Sequence, residues 1–139
     1  MNIYLSEFKI LPEFSRNPLH DEALSAILKF CNDNAFPLYR GNDPKDEYTE
    51  IEQKIREANT FVALIDKYWW SSTWKAQEFC YAIGAEPIGD IKLKVSTPMK
   101  VISFVVSDDD LKLIGMLEKS IIVRDVKNLI YELENCFNA

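Results

Sequence analysis

At 139 residues the chain is long enough to bury a sizeable core, and residues 1–139 are expected to form one domain. With 47% hydrophobic and 12% aromatic residues it reads as a folded globule, which excludes a disordered chain. A formal net charge of −6 and the lack of any basic run argue against a duplex-binding surface, which needs clustered Lys and Arg, so no nucleic-acid partner is expected.

The pattern along the chain alternates strand and helix. "NIYLSE" (Asn2–Glu7) is a short apolar strand. "NPLHDEALSAILKFCNDN" follows as a helix, with Asn17 as its N-cap and Pro18 in the first helical position. Its stripe is Leu19, Ala23, Leu24, Ile27, Phe30 and Cys31. "AFPLYR" is a second strand, which Pro37 starts late or places at an edge. After the turn "GNDPKDE", Thr49 and Glu52 make a capping box for a helix over Thr49–Ala58.

"TFVALID" (Thr60–Asp66) is a nearly unbroken apolar run, as expected of a central strand covered on both faces. A helix opens after "SST" and ends near Gly84. The connection Glu86–Pro98 is long and alternates enough to hold a short extra strand. "MKVISFVV" is another central strand, and "SDDDLKLIGML" opens a helix with acids. "SIIVRD" and "VKNLIYELENCF" close the pattern as a fifth strand and helix. The fold class is therefore α/β: a flavodoxin-like three-layer sandwich with five parallel strands in the order 2-1-3-4-5 and helices on both faces.

Cys31, Cys80 and Cys136 are odd in number and far apart, and His20 is the sole histidine, so neither a disulfide framework nor a structural zinc site is expected. Asp108–Asp110 read as solvated partners of a helix N-terminus, and no metal site is assigned. The start "MNIYLSEFK" does not read as a signal peptide, and no apolar run approaches the roughly 20 residues that span a bilayer. A cytoplasmic protein without a membrane partner is expected.

Ligands of open α/β sheets bind outside the carboxyl ends of the strands. That rim is built here from Ser6–Lys9, Arg40–Tyr48, Lys67–Trp74 and Ser107–Asp110. "KYWWSSTW" packs four aromatics and three hydroxyl residues into eight positions, and one serine is expected to cap the following helix. In that helix Ala76, Phe79, Cys80 and Ile83 form the stripe expected to face the sheet. Trp74 and Glu78, four apart, share with Tyr81 the opposite face. Either Glu78 belongs to a partly covered wall of a site, or it is an exposed carboxylate beside aromatics packed on the Glu86–Pro98 connection. No Gly-x-Gly-x-x-Gly or Walker A phosphate cradle is present.

The stretch Ile51–Phe79 resembles the middle of a TIR domain, the Toll/interleukin-1 receptor fold. The matching residues are Ala58-Asn59 at a helix end, Thr60–Asp66 as the third strand, Tyr68, then Ser72, Trp74 and Glu78. The resemblance implies a stand-alone bacterial-type member in which Glu78 catalyses cleavage of NAD at the nicotinamide–ribose bond. Nicotinamide would leave, with ADP-ribose or a derived signal as the other product, in defence or stress signalling read by a separate effector. It implies substrate contacts from Ser6, Phe8, Arg40, Lys45, Ser72 and Trp74, with Arg40 and Lys45 on the pyrophosphate. NAD is then a substrate and no cofactor is needed; self-association completes the site. Lys75 stands where many members have cysteine, and "LSEFKILPEF" departs from their serine-aromatic-aspartate run.

"NIYLSEF" and "QEFCYAIGAEPI" are also similar to nucleoside 2-deoxyribosyltransferases, which implies Glu78 as a nucleophile in the same kind of bond cleavage. A third reading is a TIR-like assembly module without turnover.

Overall fold

The computed structural model describes residues 2–7, 17–40, 48–70, 72–83, 99–106 and 118–138. Within them the elements are β1 (Ile3–Ser6), α1 (Pro18–Asp33), β2 (Leu38–Arg40), α2 (Tyr48–Glu57), β3 (Thr60–Ile65), α3 (Lys67–Trp70), α4 (Thr73–Ile83), β4 (Lys100–Val105), β5 (Ile121–Val123) and α5 (Val126–Asn138). The five strands form one sheet in the order β2-β1-β3-β4-β5, and every pair is parallel.

The period of two along the strands sorts their side chains into two cores. Tyr4, Phe61, Ala63, Ile65, Val101 and Val105 pack with Ile51, Ile55, Trp69, Phe79 and Ala82 from α2, α3 and α4. Ile3, Leu5, Val62, Leu64, Ile102 and Phe104 pack with Ala23, Ile27, Cys31, Leu129 and Leu133 from α1 and α5. Both faces are thus covered, which is why β3 and β4 read as continuous apolar runs. All six residues of β3 are buried, and each large apolar side chain among them contributes about 1.5–3 kcal/mol by leaving water.

The local signals act as expected at several points. Asn17 Oδ1 accepts the Leu19 N–H at 3.0 Å, and Pro18 opens α1. Chain exit from α1 puts Ala35 at φ 55, while the Phe36 N–H bonds the Cys31 carbonyl at 2.9 Å. Pro37 precedes the short edge strand β2 and uses its carbonyl to accept the Ile3 N–H at 3.1 Å. The segment after β3 holds a one-turn helix, α3, which periodicity does not reveal in four residues. The expected helix after Ser107, the Thr49–Glu52 capping box and the extra strand in Glu86–Pro98 lie outside the described residues and side chains. Among the described residues, no helix is long and apolar enough to cross a membrane.

Candidate active site

In the order 2-1-3 the chain steps from β1 to β2 on one side and then passes back over β1 to β3 on the other, which sets at the carboxyl ends of β1 and β3 the switch point where open α/β sheets form their ligand crevice. Ser6 ends β1, Arg40 ends β2 and Asp66 follows β3, so all three arrive at this rim. Helix α4 packs over it against β1, α2 and α3.

Helix α4 is not a surface helix with one apolar stripe. Lys75, Glu78, Phe79, Cys80, Tyr81 and Ala82 are buried, whereas Ala76 and Ile83, expected to face the sheet, are half-buried. Tyr81 lies in the core and its hydroxyl accepts from Arg56 Nε at 3.3 Å, which ties α4 to α2. Trp69 and Phe79 meet edge to face at 5.9 Å, tying α4 to α3. With neighbours on several sides, α4 has no solvent face for Glu78, and the face expected to point away from the sheet turns Glu78 toward β1.

Glu78 is only 3% exposed. Its Oε1 accepts from Lys75 Nζ at 3.2 Å, one turn earlier on α4, while Oε2 is buried with no closed hydrogen bond. Burial pushes the Glu78 carboxyl above its ordinary range; the Lys75 ammonium and the nearby Ser6 and Tyr4 hydroxyls oppose that push without cancelling it. The folded chain therefore holds this proton more tightly than the unfolded chain, whose carboxyl titrates near the ordinary 4.5. Its contribution to stability is complete below that value and is lost as pH rises through the higher folded value. We expect the stability of the wild type relative to Glu78→Gln to increase as pH is lowered toward 4.5. Urea unfolding of both chains at several pH values checks this; stability curves that stay parallel contradict it.

Ser6 is buried beneath the carboxylate and accepts the Trp69 indole N–H at 3.1 Å. Because indole only donates, the Ser6 hydroxyl keeps its proton free to point at Glu78. Trp69 is itself held by its backbone N–H, which donates to Asp66 Oδ1 at 2.8 Å. Trp69→Phe removes that donor and leaves a gap, and is expected to cost about 1–3 kcal/mol. Urea denaturation measures it; an unchanged midpoint would show that the Ser6 contact contributes nothing.

Beside this group, Arg40 Nη2 pairs with Glu7 Oε1. The Glu7 side chain is 1% exposed and that of Arg40 33%. Leu5 and Arg40 are register partners, so the two strand ends bring the pair together.

Of the residues expected to form the site, the structure brings Ser6 and Glu78 together. Arg40 stands at the same rim, engaged by Glu7. Ser72 is the N-cap of α4, its hydroxyl accepting the Lys75 N–H at 3.4 Å. Trp74 lies in α4, with its side chain outside the described set; Phe8 and Lys45 lie outside the described residues, as does the 41–47 part of the Arg40–Tyr48 rim. Tyr4, Glu7, Trp69 and Lys75 were not assigned to the site. Glu7 and Arg40 were detectable in principle, since the expected strand order makes the ends of β1 and β2 neighbours. A groove of about 490 Å³ between α1 and α5 lies on the other face of the sheet.

The fold and this cluster define a parallel α/β domain with a buried carboxylate at its strand-end crevice. Among solved structures it is similar to the CMP N-glycosidase BcmB of Clostridium botulinum, with a TM-score of 0.56 and 14% sequence identity over 96% of this chain and 98% of that one. At that identity the likeness is one of fold. No family model and no curated protein matches the sequence.

Proposed function

We propose that the chain cleaves the N-glycosidic bond between base and ribose in a nucleotide, with Glu78 as the catalytic carboxylate. The observation that carries this reading is the Glu78 carboxylate at the strand-end crevice, fixed through Oε1, with Oε2 buried beside the Ser6 and Tyr4 hydroxyls but without a closed hydrogen bond. Breaking the bond sends its electron pair out with the base and leaves an oxocarbenium-like sugar carbon. A carboxylate held beside that carbon stabilises the charge electrostatically, through a ribose hydroxyl, or by bonding to the carbon. Water or another acceptor then completes the sugar product.

The finer assignment is NAD, cleaved to nicotinamide and ADP-ribose or a derived signal, as in enzymatic TIR domains. Ser72, Trp74 and Glu78 at their spacing support it. A nucleoside monophosphate is the second reading, favoured by the CMP N-glycosidase whose fold runs the length of this chain. Self-association and a separate effector belong to the NAD reading.

Chromatography of concentrated protein incubated with NAD, with CMP, and with a deoxynucleoside plus a free base separates these readings. Nicotinamide release supports the first and cytosine release the second. Base exchange on the deoxynucleoside moves the assignment to a transferase. No reaction with any of them, under assembling conditions, leaves the non-catalytic assembly module.

A further inference from the structure

Helix α4 carries Lys75 and Glu78 one turn apart into the layer between itself and β1. Their side chains are 7% and 2% exposed. Bringing an ammonium and a carboxylate out of water is costly, and the cost is recovered only when the remaining polar atoms also find partners. This pair stops halfway: Lys75 Nζ holds Oε1, and Oε2 is buried with the Ser6 and Tyr4 hydroxyls near the carboxyl but no closed hydrogen bond of its own. An ion pair built for stability alone gains nothing from that vacancy, because an unmet buried acceptor is a penalty. A site that must receive a sugar gains from it.

We propose that Lys75 is a positioning residue for Glu78: its ammonium clamps Oε1 and thereby presents Oε2 to the ribose of the bound nucleotide. This rests on the N-glycosidase reading above. Lys75 acts through Glu78 and need not touch substrate. It occupies the position after Trp74, so the first turn after the N-cap Ser72 carries the clamp and the next turn carries the catalytic group.

Among the described residues, the groups facing Glu78 are few. From its own helix there is Lys75, and from β1 the Tyr4 and Ser6 hydroxyls. Glu7 and Arg40 at the same rim pair with each other, and Asp66 accepts from the Trp69 backbone. Among the described residues, Lys75 is the cation acting on this carboxylate. Without it, burial favours the protonated acid, which neither stabilises a cationic sugar nor bonds to it.

The test is paired. Carboxyl carbons of Glu are followed by NMR against pH in wild type, Lys75→Met and Lys75→Arg, with the Glu78 signal assigned by its loss in Glu78→Gln. The acid limb of kcat/KM for base release is measured on the same proteins. Lys75→Met is expected to move both the Glu78 titration and the acid limb up by about 1–3 pH units. Its rate should recover at alkaline pH, and Lys75→Arg should stay near wild type in both readouts. If Lys75→Met does not fold, Lys75→Gln, which keeps a donor without charge, takes its place. A variant that loses rate equally at every pH, with Glu78 titrating as in wild type, overturns the proposal and leaves the N-glycosidase reading intact. A wild type that releases no base at any pH overturns that reading and the proposal with it.

Discussion

Replacing Glu78 with glutamine is expected to lower kcat for base release by about 10²–10⁴-fold. Glutamine keeps the shape of the side chain and a carbonyl that still accepts from Lys75 Nζ, which lies 3.2 Å from Oε1 in the wild type. What it removes is the negative charge, and that charge acts on the oxocarbenium-like sugar of the transition state more than on the neutral ribose of the ground state. The loss should therefore fall on kcat, with KM little changed. Circular dichroism and urea unfolding identify any part of the loss that comes from misfolding. A rise in KM at constant kcat would make Glu78 a binding group and remove it from the chemistry.

The second large effect concerns stability. Arg40→Met leaves the Glu7 carboxylate, 1% exposed, without its cation. Breaking a buried ion pair from one side costs about 3–5 kcal/mol, because the remaining charge is neither paired nor hydrated. Replacing both partners, as Glu7→Gln with Arg40→Met, should recover most of that loss, since no buried charge is then orphaned. The double-mutant comparison by urea unfolding reads this directly. It also bears on the pyrophosphate role expected for Arg40. A guanidinium already occupied by Glu7 should affect folding first, so an Arg40→Met chain of unchanged stability and raised KM for NAD would restore the substrate role instead.

The layer plan was legible because central parallel strands have no polar face to hide: "TFVALID" and "MKVISFVV" contain β3 and β4, and Pro37 offered a late start or an edge position for β2, which has both. Helix α1 was legible through Asn17 and Pro18. The span of α4 was legible too, from the hydroxyl residues before it and Gly84 after it, but the burial of its faces was not, and the reason is physical. Periodicity locates a face by contrast between buried and exposed residues, and a helix covered by α2, α3 and β1 offers little contrast. The Ala76 stripe does reach the sheet through Phe79, which meets Phe61 of β3, whereas the face of Glu78 and Tyr81, expected to point away from the core, is buried as well. Lys75 and Glu78 at i, i+3 look like an ordinary exposed pair on sequence spacing, and only packing shows them to be buried. Trp69 and Ser6 are 63 residues apart, and their contact depends on α3, an element too short to have a period. Ser72 illustrates the opposite case: its capping role follows from local spacing alone.

The proposed function requires that a base–ribose bond breaks and that Glu78 breaks it. Free base released from NAD and from CMP, quantified by chromatography for wild type and Glu78→Gln at equal folded fraction, tests this most directly. Free nicotinamide or free cytosine is expected from the wild type and almost none from the variant. Equal release from both proteins, or release from neither, would contradict it.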